Sequence, residues 1–131
     1  MIEEAYCSFE TCKLLKEKGF PQDPYICNTA YTFRGKLSNN ARSFMHPSYL
    51  LIRTCTIAPT QQMAMRWLRE EKGLFVSIGC DDLDWNWQIF DIKNRDENLD
   101  PICMSESHGG IKTYEEAVED AIKYCLENLI K

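Results

Sequence analysis

Three carboxylates crowd the segment Asp81-Asp82-Leu83-Asp84, the densest group of oxygen donors in the chain. Donors of that kind suit Mg²⁺ or Ca²⁺. The spacing lacks the ligand positions and the closing glutamate of a calcium-binding loop, however, and aspartate is also the residue a hairpin turn wants for its own backbone. A turn is the expected role, and no metal is expected. Thiolate and imidazole ligands would have to cluster. Cys7, Cys12, Cys27, Cys55, Cys80, Cys103 and Cys125 stand singly, and neither His46 nor His108 lies at ligand spacing from them.

Nucleophilic chemistry fares no better. Cys80 with His108 is the best available pairing, but Asp81 and Asp82 beside the thiol oppose thiolate formation. His108-Gly109-Gly110, just ahead of a helix, offers backbone N–H groups to an anion without the lysine of a phosphate-binding loop. The expectation is a chain with no catalytic residue, no cofactor and no enzymatic activity.

Two groups of residues suit binding instead. From Pro24 to Arg69 there is no Asp or Glu, while Arg34, Lys36, Arg42, Arg53, Arg66 and Arg69 supply six positive charges. Tyr31, Phe33, Phe44 and Tyr49 interleave with Arg34, Lys36, Arg42 and Arg53. Aromatics stack bases and cations neutralise phosphates, so this composition suits a nucleic-acid platform. The plainer account makes the aromatics one face of a sheet and the arginines its wet face. Charge blocks in sequence also mix when segments interleave in space. The second group is Trp85 and Trp87, which share one face of a strand. If that face is open they would anchor a protein partner, and otherwise they are core.

The elements that must position these groups can be read from caps and periodicity. Ser8 caps a first helix whose buried stripe is Cys12 and Leu15, with Leu14 at the margin. Gly19, Phe20 and Pro21 end it. Tyr25–Phe33 reads as a strand, Arg34-Gly35-Lys36 as a turn and Ser38-Asn39-Asn40 as a loop. A second strand is expected over Tyr49–Ile57, beyond a long connection from Lys36 to Ser48 that shows no pattern. Pro59 suits the first turn of a second helix, with Met63, Ala64, Trp67 and Leu68 inward and Gln62, Arg66, Arg69 and Glu70 outward.

Gly73 ends that helix. A hairpin follows, Leu74, Val76 and Ile78 alternating with Phe75 and Ser77. Gly79–Asp84 turns into Trp85, Trp87 and Ile89, which alternate with Asn86, Gln88 and Phe90. A loop over Lys93–Asp100 leads to a short strand at Ile102–Met104. The last helix opens with the capping box Thr113-Tyr114-Glu115-Glu116 and buries Ala117, Val118, Ala121, Ile122, Cys125, Leu126 and Leu129. Glu119 and Lys123 are spaced to pair on its wet face.

The order α-β-β-α-β-β-(β)-α predicts an α+β fold over a single domain, 1–131. It is expected as a mostly antiparallel sheet of about four or five strands with three helices on one face. The chain has 131 residues, 44% of them hydrophobic and 27% charged, with a net charge of −5. That composition is globular. The acidic start Met1-Ile2-Glu3-Glu4 is unlike a signal peptide, no apolar run approaches a membrane span, and an odd scatter of cysteines is no disulfide framework. A cytoplasmic protein with reduced thiols, acting away from the membrane, is expected.

Three stretches together carry a resemblance. They are Ser8–Phe20, then Ala58-Pro59-Thr60-Gln61 running into Trp67-Leu68-Arg69-Glu70, and Tyr114-Glu115-Glu116-Ala117. In combination they resemble a group of small uncharacterised proteins of gut Bacteroides-type bacteria and their phages. The likeness spans most of the chain in order, apart from Lys36–Ser48 and the residues before Ser8. It implies a phage or mobile-element setting, where small accessory proteins bind host or virion proteins, and it implies no activity, cofactor or catalytic residue. The function expected is therefore a non-enzymatic protein-interaction module. The alternative is a nucleic-acid-binding accessory protein using Arg34, Lys36, Arg42 and Arg53.

Overall fold

The computed structural model describes residues 4–45 and 55–131. The chain divides into two compact units, Met1–Thr60 and Gln61–Lys131. The class is α+β with antiparallel sheets, and the strands fall into two three-stranded sheets, one in each unit.

In the first unit, helix α1 (Phe9–Glu17) starts where the Ser8 hydroxyl accepts the Thr11 N–H at 3.2 Å. It ends in a Schellman motif. The Phe20 N–H reaches the Leu15 carbonyl at 2.9 Å and the Gly19 N–H reaches that of Lys16 at 3.3 Å, with Gly19 at φ +103°. Cys12 and Leu15 are buried and Leu14 is half-buried. The sheet has the order β2-β1-β3, built from β1 (Ala30–Tyr31), β2 (Leu37–Ser38) and β3 (Thr56–Ile57). A short helix α2 (Ala41–Phe44) lies within the connection that has no sequence pattern. Helix α1 packs on β3, and the Lys16 ammonium donates to the carbonyl of Cys55, just before that strand, at 3.0 Å.

Most of the strand expected over Tyr25–Phe33 is not strand. The carboxylate and carbonyl of Asp23 take the N–H groups of Tyr25, Ile26 and Cys27 at 2.9 to 3.1 Å. Those bonds commit the segment to a turn. Tyr25 and Ile26, whose types favour strand, are exposed on it. Of the strand expected over Tyr49–Ile57, positions 49–54 lie outside the described residues.

The second unit is more regular. Helix α3 spans Gln61–Lys72, so Pro59 precedes the helix and does not occupy its first turn. Its buried residues are Gln61, Ala64, Met65 and Leu68. Met65 takes the fully inward place expected of Met63 and Trp67, which are half-buried. A stripe centred on 61, 64, 65 and 68 satisfies the helical period better once the helix starts at Gln61.

Gly73, at φ +67°, turns the chain into β4 (Leu74–Asp81). A two-residue turn, Asp82-Leu83, leads into β5 (Asp84–Arg95), and β6 (Pro101–Glu106) completes the sheet in the order β4-β5-β6. The strands run further than the alternation suggested. Gly79 sits within β4 opposite Asn86, and Asp84 already pairs with Asp81.

Helix α4 (Tyr114–Tyr124) is capped by the Thr113 hydroxyl, which accepts the Glu116 N–H at 3.1 Å, and runs on into a π-helical turn, Cys125–Leu129. Its residues Ala117, Val118, Ala121, Ile122, Cys125 and Leu126 are buried. Helices α3 and α4 pack on the sheet of this unit and on each other. The Gln61 amide ties their starts together, donating to the Glu115 carbonyl at 2.9 Å and to Glu119 at 3.2 Å. On the wet face Lys123 lies 3.9 Å from Glu127. Among the described residues no helix is long and apolar enough to cross a membrane.

Candidate functional site

The tryptophans lie on the covered side of the second sheet. Trp87 is 4% exposed; its indole N–H donates to Asp120 at 2.7 Å, and its ring meets Tyr124 at 5.2 Å. Trp85 is half-buried, edge-on to Tyr114 at 5.6 Å, and its backbone N–H reaches the Ile111 carbonyl at 2.8 Å. Both ring contacts come from α4, so these residues hold the helix to the sheet, Trp87 in the core and Trp85 half-exposed at its edge.

The opposite face of that sheet is where apolar surface is left over. Strand alternation sends Leu74 and Val76 inward, so Phe75 points away from the helices and is 40% exposed. The register then sets Phe75 opposite Phe90 and Phe90 opposite Cys103, one row across three strands. The next row is Ser77, Gln88 and Glu106, with the Gln88 amide 3.4 Å from the Glu106 carboxylate. Ile89 pairs with Ser105 and Phe90 with Cys103, so Met104 is one residue too many and β6 bulges there. Ile102 and Met104, on either side of Cys103, are exposed, Met104 at 45%.

The loop before β6 adds a further apolar group. Asp96 organises it, its carboxylate accepting the N–H groups of Asn98 and Asp100 at 2.9 Å each. Leu99 is thereby held at φ +65°, a backbone region that bulky side chains avoid, with its side chain 78% exposed. Acids surround the strip: Asp96, Glu97 and Asp100 lead into β6 and Glu106 ends it. Asp91, opposite Ile102, is held below the usual carboxylate range, first by the Asn94 amide and then by the backbone N–H groups of Asn94 and Lys93.

The basic residues are less concentrated than their sequence order implied. Arg42 lies 5.1 Å over the ring of Tyr25, while its guanidinium donates to the carbonyls of Pro24 at 3.1 Å and Tyr25 at 3.4 Å. It clamps the Asp23 turn. Arg34 lies 5.3 Å over the exposed ring of Phe33, and Lys36 follows on the same turn. Tyr31 is no stacking platform, since its hydroxyl donates to the Cys7 carbonyl at 2.9 Å and its ring packs on Phe9 at 5.2 Å. Arg53 and His46 lie outside the described residues.

Chemistry at the remaining candidates is modest. Asp81 and Asp84 close the hairpin and Asp82 takes φ +49°, a conformation aspartate tolerates. Cys80, Cys103 and His108 are exposed, and the other five thiols are buried. Burial pushes the Cys27 thiol above its ordinary value, and its Sγ donates to the Ala58 carbonyl at 3.4 Å. Burial pushes Cys125 up to about 12. Both are protonated, unreactive packing groups at neutral pH.

Sequence reasoning missed the Phe75–Phe90–Cys103 row, because it took the tryptophan face as the one to watch. The signal was present in the alternation itself: Phe75 alternates with the inward Leu74 and Val76, and Phe90 with the inward Trp87 and Ile89. Comparison of the chain with protein-family models, with curated proteins and with solved structures finds no match.

Proposed function

We propose that the chain is a protein-interaction module whose second unit docks a basic, apolar-tipped segment of a partner protein across the open face of its sheet. The observation that supports this reading is the row Phe75–Phe90–Cys103 on the face away from the helices, with Met104 exposed at the bulge beside Cys103. Exposed apolar groups of this kind cost hydration free energy unless something covers them. Charge selects the occupant. This unit carries fifteen acidic and eight basic residues, so a basic segment is favoured. A second copy docked through the same strand would set Asp100 and Glu106 against their own kind. The bulge at Met104 and the proline at the start of β6 also guard that edge against self-pairing. The resemblance to phage and Bacteroides-type proteins points to a host or virion protein as the partner.

The test is affinity capture from a bacterial lysate with the wild type, with Phe75→Glu/Met104→Glu and with Arg34→Glu/Lys36→Glu. The reading expects one protein captured by the wild type and by the Arg34/Lys36 variant. It also expects that protein to be lost with the Phe75/Met104 variant and displaced by a synthetic Lys/Leu peptide. Capture that survives the Phe75/Met104 change would sink it.

Nucleic-acid binding has one observation in its favour, the pairing of Arg34 with exposed Phe33. Arg42 is committed to the carbonyls of its own turn, which leaves Arg34 and Lys36 as the described cations of the platform. Two phosphate contacts give a salt slope of only about −2, far short of a stable duplex binder.

A further inference from the structure

The first unit carries a cleft of about 1010 Å³, formed without any residue of the second unit's sheet. Small-molecule clefts run from about 300 to 1,000 Å³, so this one has room for a ligand of nucleotide size. The β1–β2 hairpin supplies Lys36 and Leu37, the chain leaving β2 supplies Asn39, and Thr29 lies just before β1. Tyr6 and Glu4 come from the segment that bridges to Thr60. The hairpin turn is held in place. Thr32 and Lys36 close it with a 2.9 Å backbone bond, Gly35 sits at φ +80°, and a side chain there would meet the Phe9 ring at 3.0 Å. The turn therefore presents Lys36 from a seated position.

The chemistry of the lining is selective. Tyr6 offers an exposed aromatic face beside the apolar Leu37. No ion pair among the described residues uses Lys36 or Arg34, two residues apart on that turn. Asn39 provides an amide donor and acceptor, Thr29 a hydroxyl, and Glu4 an acceptor for hydroxyl or amino hydrogens. The described lining offers hydrogen-bonding, apolar and cationic groups, which suit recognition of a polar ligand.

We propose that this cleft binds a nucleoside monophosphate, with the base against Tyr6 and Leu37, the phosphate at Lys36, and the ribose or base edge at Glu4 and Asn39. An uncharged sugar would make no use of the exposed Lys36 ammonium, and a long nucleic-acid strand would need more cations than this turn supplies. The site lies in the first unit, so it stands or falls independently of the protein-binding surface.

The experiment is an amide-resonance titration of the full chain at low salt with adenosine monophosphate, adenosine, inorganic phosphate and a ten-nucleotide single strand. Adenosine monophosphate is expected to shift Tyr6, Thr29, Lys36 and Asn39. Adenosine alone and phosphate alone are each expected to bind at least about tenfold more weakly, because each lacks one half of the contacts. Lys36→Gln should weaken the nucleotide by about tenfold while leaving the spectrum otherwise folded. Three results would overturn the proposal: no shift with millimolar nucleotide, phosphate binding as well as the nucleotide does, or affinity unchanged in Lys36→Gln. Tighter binding of the ten-nucleotide strand, with shifts spreading to Phe33 and Arg42, would overturn it in favour of a nucleic-acid platform.

Discussion

Trp87 shows how a single side chain fixes the direction of a whole face. Its indole N–H has a charged partner in Asp120 and its ring a stacking partner in Tyr124. Trp87→Phe keeps most of the ring but leaves the Asp120 carboxylate without its donor. The expected cost is about 1.5–3 kcal/mol in urea denaturation, with partner capture unchanged. Leu99 should behave in the opposite sense. A bulky residue at φ +65° carries about 1 kcal/mol of backbone strain, which asparagine tolerates better. Leu99→Asn is therefore expected to raise stability by up to about 1 kcal/mol and to weaken partner capture. If partner capture is unchanged in Leu99→Asn, Leu99 is no anchor.

Cys125 adds a pH signature. Its folded value, about 12, lies above the ordinary 9.0 because the thiol is buried. The folded state thus holds the proton more tightly, and this contribution is complete below pH 9 and is lost as pH rises towards 12. Denaturation midpoints of the wild type should fall more steeply than those of Cys125→Ala above pH 9, with the two differing by up to about 1.4 kcal/mol per pH unit. Parallel curves would show that the thiol titrates as freely folded as unfolded.

At the scale of elements, α1, α4 and the end of α3 were legible because they carry local chemistry. Ser8, Gly19, Gly73 and Thr113 do in the fold what their types announce, and α4 with its π-helical turn buries six of the seven residues expected of the last helix, Leu129 being half-buried. The capping contribution is testable: Thr113→Ala should cost about 1 kcal/mol, and Thr113→Ser almost nothing. The second hairpin was legible for the same reason, with its alternation continuing through Gly79 to the two-residue turn.

The first unit resisted because its strands are two residues long. A period of two cannot be read from two residues, and there side chain–backbone bonds decide the path. Asp23 overrides the strand preference of Tyr25 and Ile26 by capturing three N–H groups. The candidate surface was half-legible. The tryptophan strand was correctly located beside it, but only the cross-strand register shows that Phe75, Phe90 and Cys103 fall in one row, and register is non-local.

For the whole molecule, the informative quantity is how charge divides between the units. The acid-free stretch 24–69 crosses the boundary at Thr60, so Arg66 and Arg69 belong to α3, where Arg66 meets Glu70 at 2.9 Å. The first unit carries seven basic and five acidic residues, the second eight and fifteen. A field of that sign around the Phe75–Phe90–Cys103 row should steer a cationic segment toward it before any apolar contact forms. Steering acts over the Debye length, which contracts from about 30 Å at 0.01 M salt to about 8 Å at 0.15 M. Association of a Lys/Leu peptide, followed by stopped-flow fluorescence, should therefore slow by about tenfold or more across that range, with dissociation changing much less. Asp100→Lys/Glu106→Lys should lower the rate at low salt and flatten its salt dependence. A rate indifferent to both salt and these substitutions would mean that apolar contact alone selects the partner, and the basic segment proposed here would be the wrong occupant.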